Sequence, residues 1–211
     1  MKTELFYIHD PMCSWCWGFA GVAKQLFNSL PEAVTIRRLL GGLAADDERP
    51  MSADMQQHIQ QNWRRIEDKI PAVKFNFDFW CLCQPRRSTH PACRAVIAAR
   101  LQGDEYDEAM TTRIQLAYYE EAKNPSDINI LVELASDLGL DQNRFRHDLS
   151  ATGTQQTLLE EIQLSRELHA DSFPSLVFKA GDSVWPVAID YLDASPMLEL
   201  VEMFLQMEES K

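Results

Sequence analysis

No stretch of this 211-residue chain stays apolar for the roughly 18 residues that a membrane-spanning helix needs, so no membrane partner is expected. No apolar run of about 7–15 residues precedes the first strand-like segment either. Met1-Lys2-Thr3-Glu4 leads directly into Leu5-Phe6-Tyr7-Ile8, so a secretory leader is not expected and the chain reads as cytoplasmic. Low-complexity tracts and repeat periods are absent too, which excludes solenoid architectures. Basic charge is scarce: 20 Lys and Arg face 32 Asp and Glu, for a net charge of −12. Residues 1–100 carry 13 basic against 10 acidic side chains, net +3, while residues 101–211 carry 7 against 22, net −15. Such a chain is a poor partner for nucleic acid, whose affinity rests on neutralising phosphates. The five cysteines cannot all pair within one chain. A reducing compartment suits that odd count, with thiols kept for reactivity, metal binding or burial.

What is present is Cys13-Ser14-Trp15-Cys16, seated where the strand-like Leu5–Ile8 turns through His9-Asp10-Pro11-Met12 into a helical pattern. A thiol at a helix N-terminus meets unpaired backbone N–H groups and the positive end of the helix dipole, and both favour thiolate. Cys13 is therefore the expected nucleophile, exposed and with a lowered pKa. Cys16, one turn on, is the expected resolving thiol, since the spacing lets the pair cycle between dithiol and disulfide. Asp10 is close enough in sequence to oppose thiolate formation. The same spacing also supplies two ligands of a zinc half-site, so a zinc-binding or partner-binding module is the non-enzymatic alternative.

Periodicity places the pair in a larger plan. Strand, helix (Ser14 to about Leu30) and a second strand (Val34–Leu40, closed by Gly41-Gly42) form a β-α-β unit. From Asp46 to Ser150 the patterns are almost all helical: Ser52–Ile66, Pro91–Leu101, Asp104–Ala122, Asp127–Leu138 and Asp141–Leu149. The aromatic stretch 71–90 reads as an irregular connection. After Gly153 an amphipathic helix leads to Phe173-Pro174, then to strands at 175–178 and 184–189 joined at Gly181-Asp182 as a hairpin. A last helix begins with Ser195 as N-cap and Pro196 at its first position. This order predicts an α/β, thioredoxin-like fold. Residues 1–45 and 151–211 form the thioredoxin-like domain, and a helical domain, 46–150, is inserted between the β-α-β and β-β-α halves.

Pro174 precedes a strand after a helix, where the fold favours a cis bond although most X-Pro bonds are trans. Lacking an N–H, it leaves the N–H and C=O of Phe173 for β-type pairing with a substrate chain. Four segments, Asp10-Pro11-Met12-Cys13-Ser14-Trp15-Cys16-Trp17-Gly18-Phe19, Pro85-Arg86-Arg87-Ser88-Thr89, Pro91-Ala92-Cys93-Arg94-Ala95 and Phe173-Pro174-Ser175, together resemble the DsbA family of thioredoxin-fold oxidoreductases. Within it they are similar to the cytoplasmic, FrnE-like branch of protein-disulfide isomerases. The resemblance implies redox-active Cys13 and Cys16, a cis Pro174, and a helical domain over the active site. His9 and the missing leader depart from periplasmic DsbA.

The expected function is thiol-disulfide oxidoreductase or protein-disulfide isomerase, with disulfide-containing proteins or small thiols as substrates and no organic cofactor. Glutathione is the candidate redox partner; Arg86 and Arg87 either hold such an anion by bidentate bonds or take a surface or capping role. Trp15, Trp17 and Phe19 would form an apolar rim for an unfolded peptide, or ordinary core. A glutathione-dependent isomerase or transferase of the kappa type is the enzymatic alternative; such members carry serine at the position of Cys13. Cys93 is either a third reactive thiol or a small buried residue. Cys81 and Cys83, with His90 or Cys93, lack a standard structural zinc spacing, and no metal site is expected.

Overall fold

The computed structural model describes residues 3–210. Strands β1 (Thr3–His9) and β2 (Val34–Leu40) pair in parallel, from Thr3 beside Val34 to His9 beside Leu40. Helix α1 (Ser14–Ser29) connects them. Strand β3 (Ser175–Ala180) runs antiparallel to β1, and β4 (Ser183–Val187) antiparallel to β3, giving the order β2-β1-β3-β4. The β3–β4 turn uses Gly181 at φ +58°, where a side chain would be strained. This is the thioredoxin-like arrangement that the order of sequence patterns predicts.

Between the halves lie α2 (Ala53–Lys69), α3 (Phe79–Leu82), α4 (His90–Arg100), α5 (Tyr106–Tyr119), α6 (Ile128–Asp137), α7 (Gln142–Leu149) and α8 (Thr152–Glu167). Helix α9 (Ser195–Glu209) closes the chain. Two local expectations change. The stretch 71–90 contains the single turn α3, because Phe79 is drawn into an aromatic cluster around the fully buried Trp63. Ser195 is the first residue of α9, not its cap; Ala194 holds that position without a side-chain bond. The hydroxyl of Ser195 is not needed there, because Asp193 accepts the Ser195 N–H at 2.9 Å.

Strand alternation sorts β1 between two cores. Leu5 and Tyr7 pack with Phe19, Leu26, Phe178 and Val201 beneath α1 and α9. Phe6 and Ile8 pack with Leu39, Val177 and Leu168 on the opposite face. A third core fills the space among α4–α8 and includes Leu40 at the end of β2. Helix α8 serves two of these: Leu158 and Ile162 belong to the helical core, and Leu164 and Leu168 to the sheet. Its Glu161 also accepts the Leu40 N–H at 2.8 Å and pairs with Arg100 at 2.7 Å, tying the end of β2 to α4.

His9 ends β1 on the Tyr7 side, its ring stacked on Tyr7 at 4.7 Å. It is 1% exposed, and neither ring nitrogen has a hydrogen-bond partner among the described residues. Burial first, then the charges of Arg38 and Arg100, lower its pKa from 6.5 to about 3. The unfolded chain therefore takes up a proton below pH 6.5 that the folded chain refuses until about pH 3. Stability present above that window is lost as pH falls through it, by up to about 1.4 kcal/mol per pH unit. Replacing His9→Phe is expected to flatten this part of the curve of unfolding free energy against pH, measured by urea denaturation from pH 7 to 3.5.

Candidate active site

The turn from β1 into α1 is built around Asp10. Its carbonyl accepts the Cys13 N–H at 3.0 Å, and Oδ1 accepts the Met12 N–H at 2.8 Å. Oδ2 accepts the Leu43 N–H at 2.8 Å, the Thr89 hydroxyl at 2.6 Å and the Cys93 thiol at 3.4 Å. The carboxyl is fully buried, and burial raises its pKa despite those donors. The turn delivers Cys13 to the N-cap of α1 in extended geometry, its carbonyl accepting the Trp17 N–H at 3.1 Å.

Cys13 is 7% exposed, not open to solvent as the helix-start argument expected. The Phe173 carbonyl covers it and accepts its thiol at 3.4 Å. That carbonyl is therefore occupied in the dithiol form, where the sequence expectation left it free for a substrate chain. Cys16 is fully buried one turn further in, and its thiol lies within hydrogen-bonding reach of Cys13. Burial, then the neighbouring Cys13, hold the Cys16 thiol well above its ordinary value, and the charge of Asp10 adds to this. The pair is thus asymmetric, with one sulfur at the edge of a groove and the other held as a buried thiol.

Phe173-Pro174 is a cis peptide. The Phe173 ring lies over Gly41 at the exit of β2; a Cβ built on Gly41 would stand 2.1 Å from it. In front of Cys13 a groove of about 890 Å³ opens. Its floor is Met12, Cys13, Ser14 and Trp15, one wall is Met55, His58, Ile59 and Asn62 of α2, and the other is Arg86 to Thr89 with Tyr118. No Asp or Glu is among the described residues that line it, although the chain carries a net charge of −12.

The other sequence candidates divide. Trp15 lines the groove and meets Tyr191 edge-on at 5.1 Å. Trp17 does not; it stacks on Tyr119 at 5.7 Å and donates to the Lys74 carbonyl at 3.3 Å, as a wall of the aromatic core. Phe19 is fully buried core. Arg86 reaches the groove but is held by Glu48 at 3.0 Å, by Asp127 and by the Ser126 carbonyl at 2.6 Å, so it organises the loop instead of waiting for an anion. Arg87 lines the groove with no ion pair among the described residues.

Cys93 is fully buried on Asp10, and burial with that charge raises its thiol pKa well above the usual value. Cys83 donates to the Ala122 carbonyl at 3.1 Å, and Cys81 is exposed. Among the described residues no group of three or more His, Cys, Asp and Glu is placed to hold a metal. Thr89, Gly41 and the α2 wall were not singled out by sequence. The only signal for Gly41 was its place in the Gly41-Gly42 pair that ends β2.

A thioredoxin-fold protein with an inserted helical block is what this sheet, these helices and the paired thiols define. The profile of a thioredoxin family matches residues 6–185, and the chain belongs to that family. A candidate protein disulfide isomerase from Nitrosomonas europaea superposes with a TM-score of 0.85 at 28% identity, over 98% of this chain and 99% of that one. The cytosolic disulfide reductase DsbM of Pseudomonas aeruginosa shares the fold with a TM-score of 0.76 at 22% identity, over 97% and 99% of the two chains. The ClpXP adapter protein SpxH of Bacillus subtilis is 25% identical over 177 residues, 83% of this chain. This chain spans 58% of the length of that relative.

The close seat of Phe173 on Gly41 has a measurable consequence. Gly41→Ala is expected to push the ring away and with it the carbonyl that aligns Cys13. A misplacement of this kind costs on the order of 10- to 100-fold in rate. The expected result is a fall of that size in thiol-disulfide exchange with unchanged far-ultraviolet circular dichroism, measured beside the parent.

Proposed function

We propose that the chain is a thiol-disulfide oxidoreductase of a reducing compartment, working on disulfides with a small anionic thiol of the glutathione kind as its redox partner. The observation that carries this reading is the asymmetric pair, with Cys13 under the Phe173 carbonyl at the groove and Cys16 buried behind it. As a thiolate, Cys13 attacks one sulfur of a substrate disulfide, and the other substrate sulfur leaves and takes a proton. Loss of the Cys13 proton frees the Phe173 carbonyl, which then accepts a backbone N–H of the substrate in β-type pairing.

The raised Cys16 pKa keeps that sulfur protonated while the mixed disulfide forms. The charge of Asp10 adds to that effect, and Cys16 gives up its proton to the leaving substrate sulfur when it attacks Cys13. That attack releases the second substrate thiol and leaves a Cys13–Cys16 disulfide. Two small thiols then restore the dithiol, becoming one disulfide themselves, so each cycle moves two electrons from the small thiol to the substrate. If Cys16 is bypassed and the mixed disulfide is attacked by another substrate thiol, the same pair isomerises instead of reducing.

Arg87 and the absence of carboxylates along the groove support an anionic partner. The Pseudomonas aeruginosa neighbour DsbM is also known with bound glutathione, and an odd set of five thiols fits a reducing compartment. The SpxH relatives, described as ClpXP adapters, favour a second reading in which the groove holds a protein partner without turnover.

Insulin reduction driven by glutathione separates the two. Cys13→Ser is expected to abolish turnover and Cys16→Ser to accumulate the mixed disulfide. Arg87→Ala should raise KM for glutathione about tenfold or more, as loss of one charge-assisted bond of about 1.5–3 kcal/mol implies. Full activity in Cys13→Ser would rule the redox reading out, and an inactive parent that still binds a partner would support the adapter reading.

A further inference from the structure

A second, small cleft lies between α1, the ends of β1 and β2, and α5, and shares no lining residue with the thiol groove. Its floor is polar and closed off from water. His9 is 1% exposed with both ring nitrogens unpartnered among the described residues, and the Thr111 hydroxyl, on a residue 9% exposed, is unpartnered there as well. Buried polar atoms in folded proteins nearly always have a hydrogen-bond partner. Three orphans lining one cleft are therefore unusual, and they mark where a partner belongs.

We propose that this cleft is a binding site for a small carboxylate with a short alkyl chain, distinct from the redox groove. The charges at its mouth match a monoanion. Lys24 and Arg38 face one acid, Glu108, for a local sum of +1. A monoanion brings the cleft to neutrality, whereas a dianion would leave it charged. Arg38 spends one Nη2 contact, 2.6 Å, on Glu108, and a guanidinium carries five N–H donors in a planar fork suited to a carboxylate. A neutral imidazole contributes one N–H donor, and the Thr111 hydroxyl another. The remaining wall is apolar, with Ala20, Ala23 and Phe27 beside these donors, and the Arg38 guanidinium sits 5.5 Å over the Phe27 ring. A ligand that fits has one anionic end for the floor and a few methylenes for the wall.

Butyrate is the probe, with butanamide as its uncharged analogue and inorganic phosphate as the dianion. Ring resonances of histidine in the full-length reduced protein report binding, and the His9 signals are assigned by their loss in His9→Phe. Butyrate is expected to shift the His9 signals saturably, with butanamide and phosphate weaker. Thr111→Val, nearly the same shape, and Arg38→Leu should each weaken butyrate about tenfold or more, the loss expected for a hydrogen bond to a charged group. Cys13→Ser should bind butyrate as the parent does, so failure of the redox reading and failure of this one are separable. The proposal is overturned if the His9 signals do not move, which would mean that the cleft holds water only. It is equally overturned if butanamide or phosphate binds as well as butyrate, or if neither Thr111→Val nor Arg38→Leu, each folded by circular dichroism, changes the affinity.

Discussion

Everything at the thiol site depends on a buried carboxylate. Taking Asp10 out of water costs several kcal/mol, and its side chain recovers part of this through donors from three separate parts of the chain. Met12 belongs to the turn before α1, Leu43 to the segment leaving β2, and Thr89 and Cys93 to the start of α4. Hydrogen bonds to a charged acceptor contribute about 1.5–3 kcal/mol each, so the set offsets the burial only if all the segments are in place together. The raised pKa of Asp10 means that burial still outweighs the donors. The sheet half and the inserted helices are thus joined beneath Cys13, and the groove exists because they are.

Sequence and structure agree most where periodicity was strong and local. The β-α-β start, the hairpin and most of the helices follow from alternation, from helical spacing and from glycine and proline punctuation. The seat of Cys13-Ser14-Trp15-Cys16 at the start of α1 was legible because the strand, turn and helix signals around it lie side by side. What was not legible is long-range: Arg86 stood between an anion site and a surface or capping role until Glu48 and Asp127 were placed beside it, and Trp17 stood between rim and core until Tyr119 was stacked on it. Cys13 looked exposed because a helix start in isolation is open. The Phe173 carbonyl, 160 residues further along the chain, lies against its thiol. Spacing along a sequence carries no information about partners that far away.

The uneven charge takes on meaning in the same way. An excess of acid in the second half of the chain would repel an anionic thiol if it surrounded the reactive sulfur. It does not: several of those acids lie in ion pairs away from the groove, as Arg113 meets Glu121 and Asp137, and Lys123 meets Glu121 and Glu133. The groove is left with Arg87 and no carboxylate. Net charge therefore describes the solvated faces of the molecule, and the site departs from it by the choice of a few residues.

His9 and Asp10 are neighbours that handle burial in opposite ways. Asp10 gathers donors for a charged group, while His9 gives up its charge, standing neutral against Tyr7 with no hydrogen bond to either nitrogen. Neutrality answers the electrostatic cost of burial but not the hydrogen-bond cost, which for an unmet buried polar group is about 1–3 kcal/mol. A chain built only for stability would place an apolar ring at the end of β1, since stacking on Tyr7 needs no nitrogen. The imidazole is therefore hard to account for by packing alone. It makes sense where something that enters from solvent meets its nitrogens, and the cleft beside it opens toward solvent past Lys24 and Glu108.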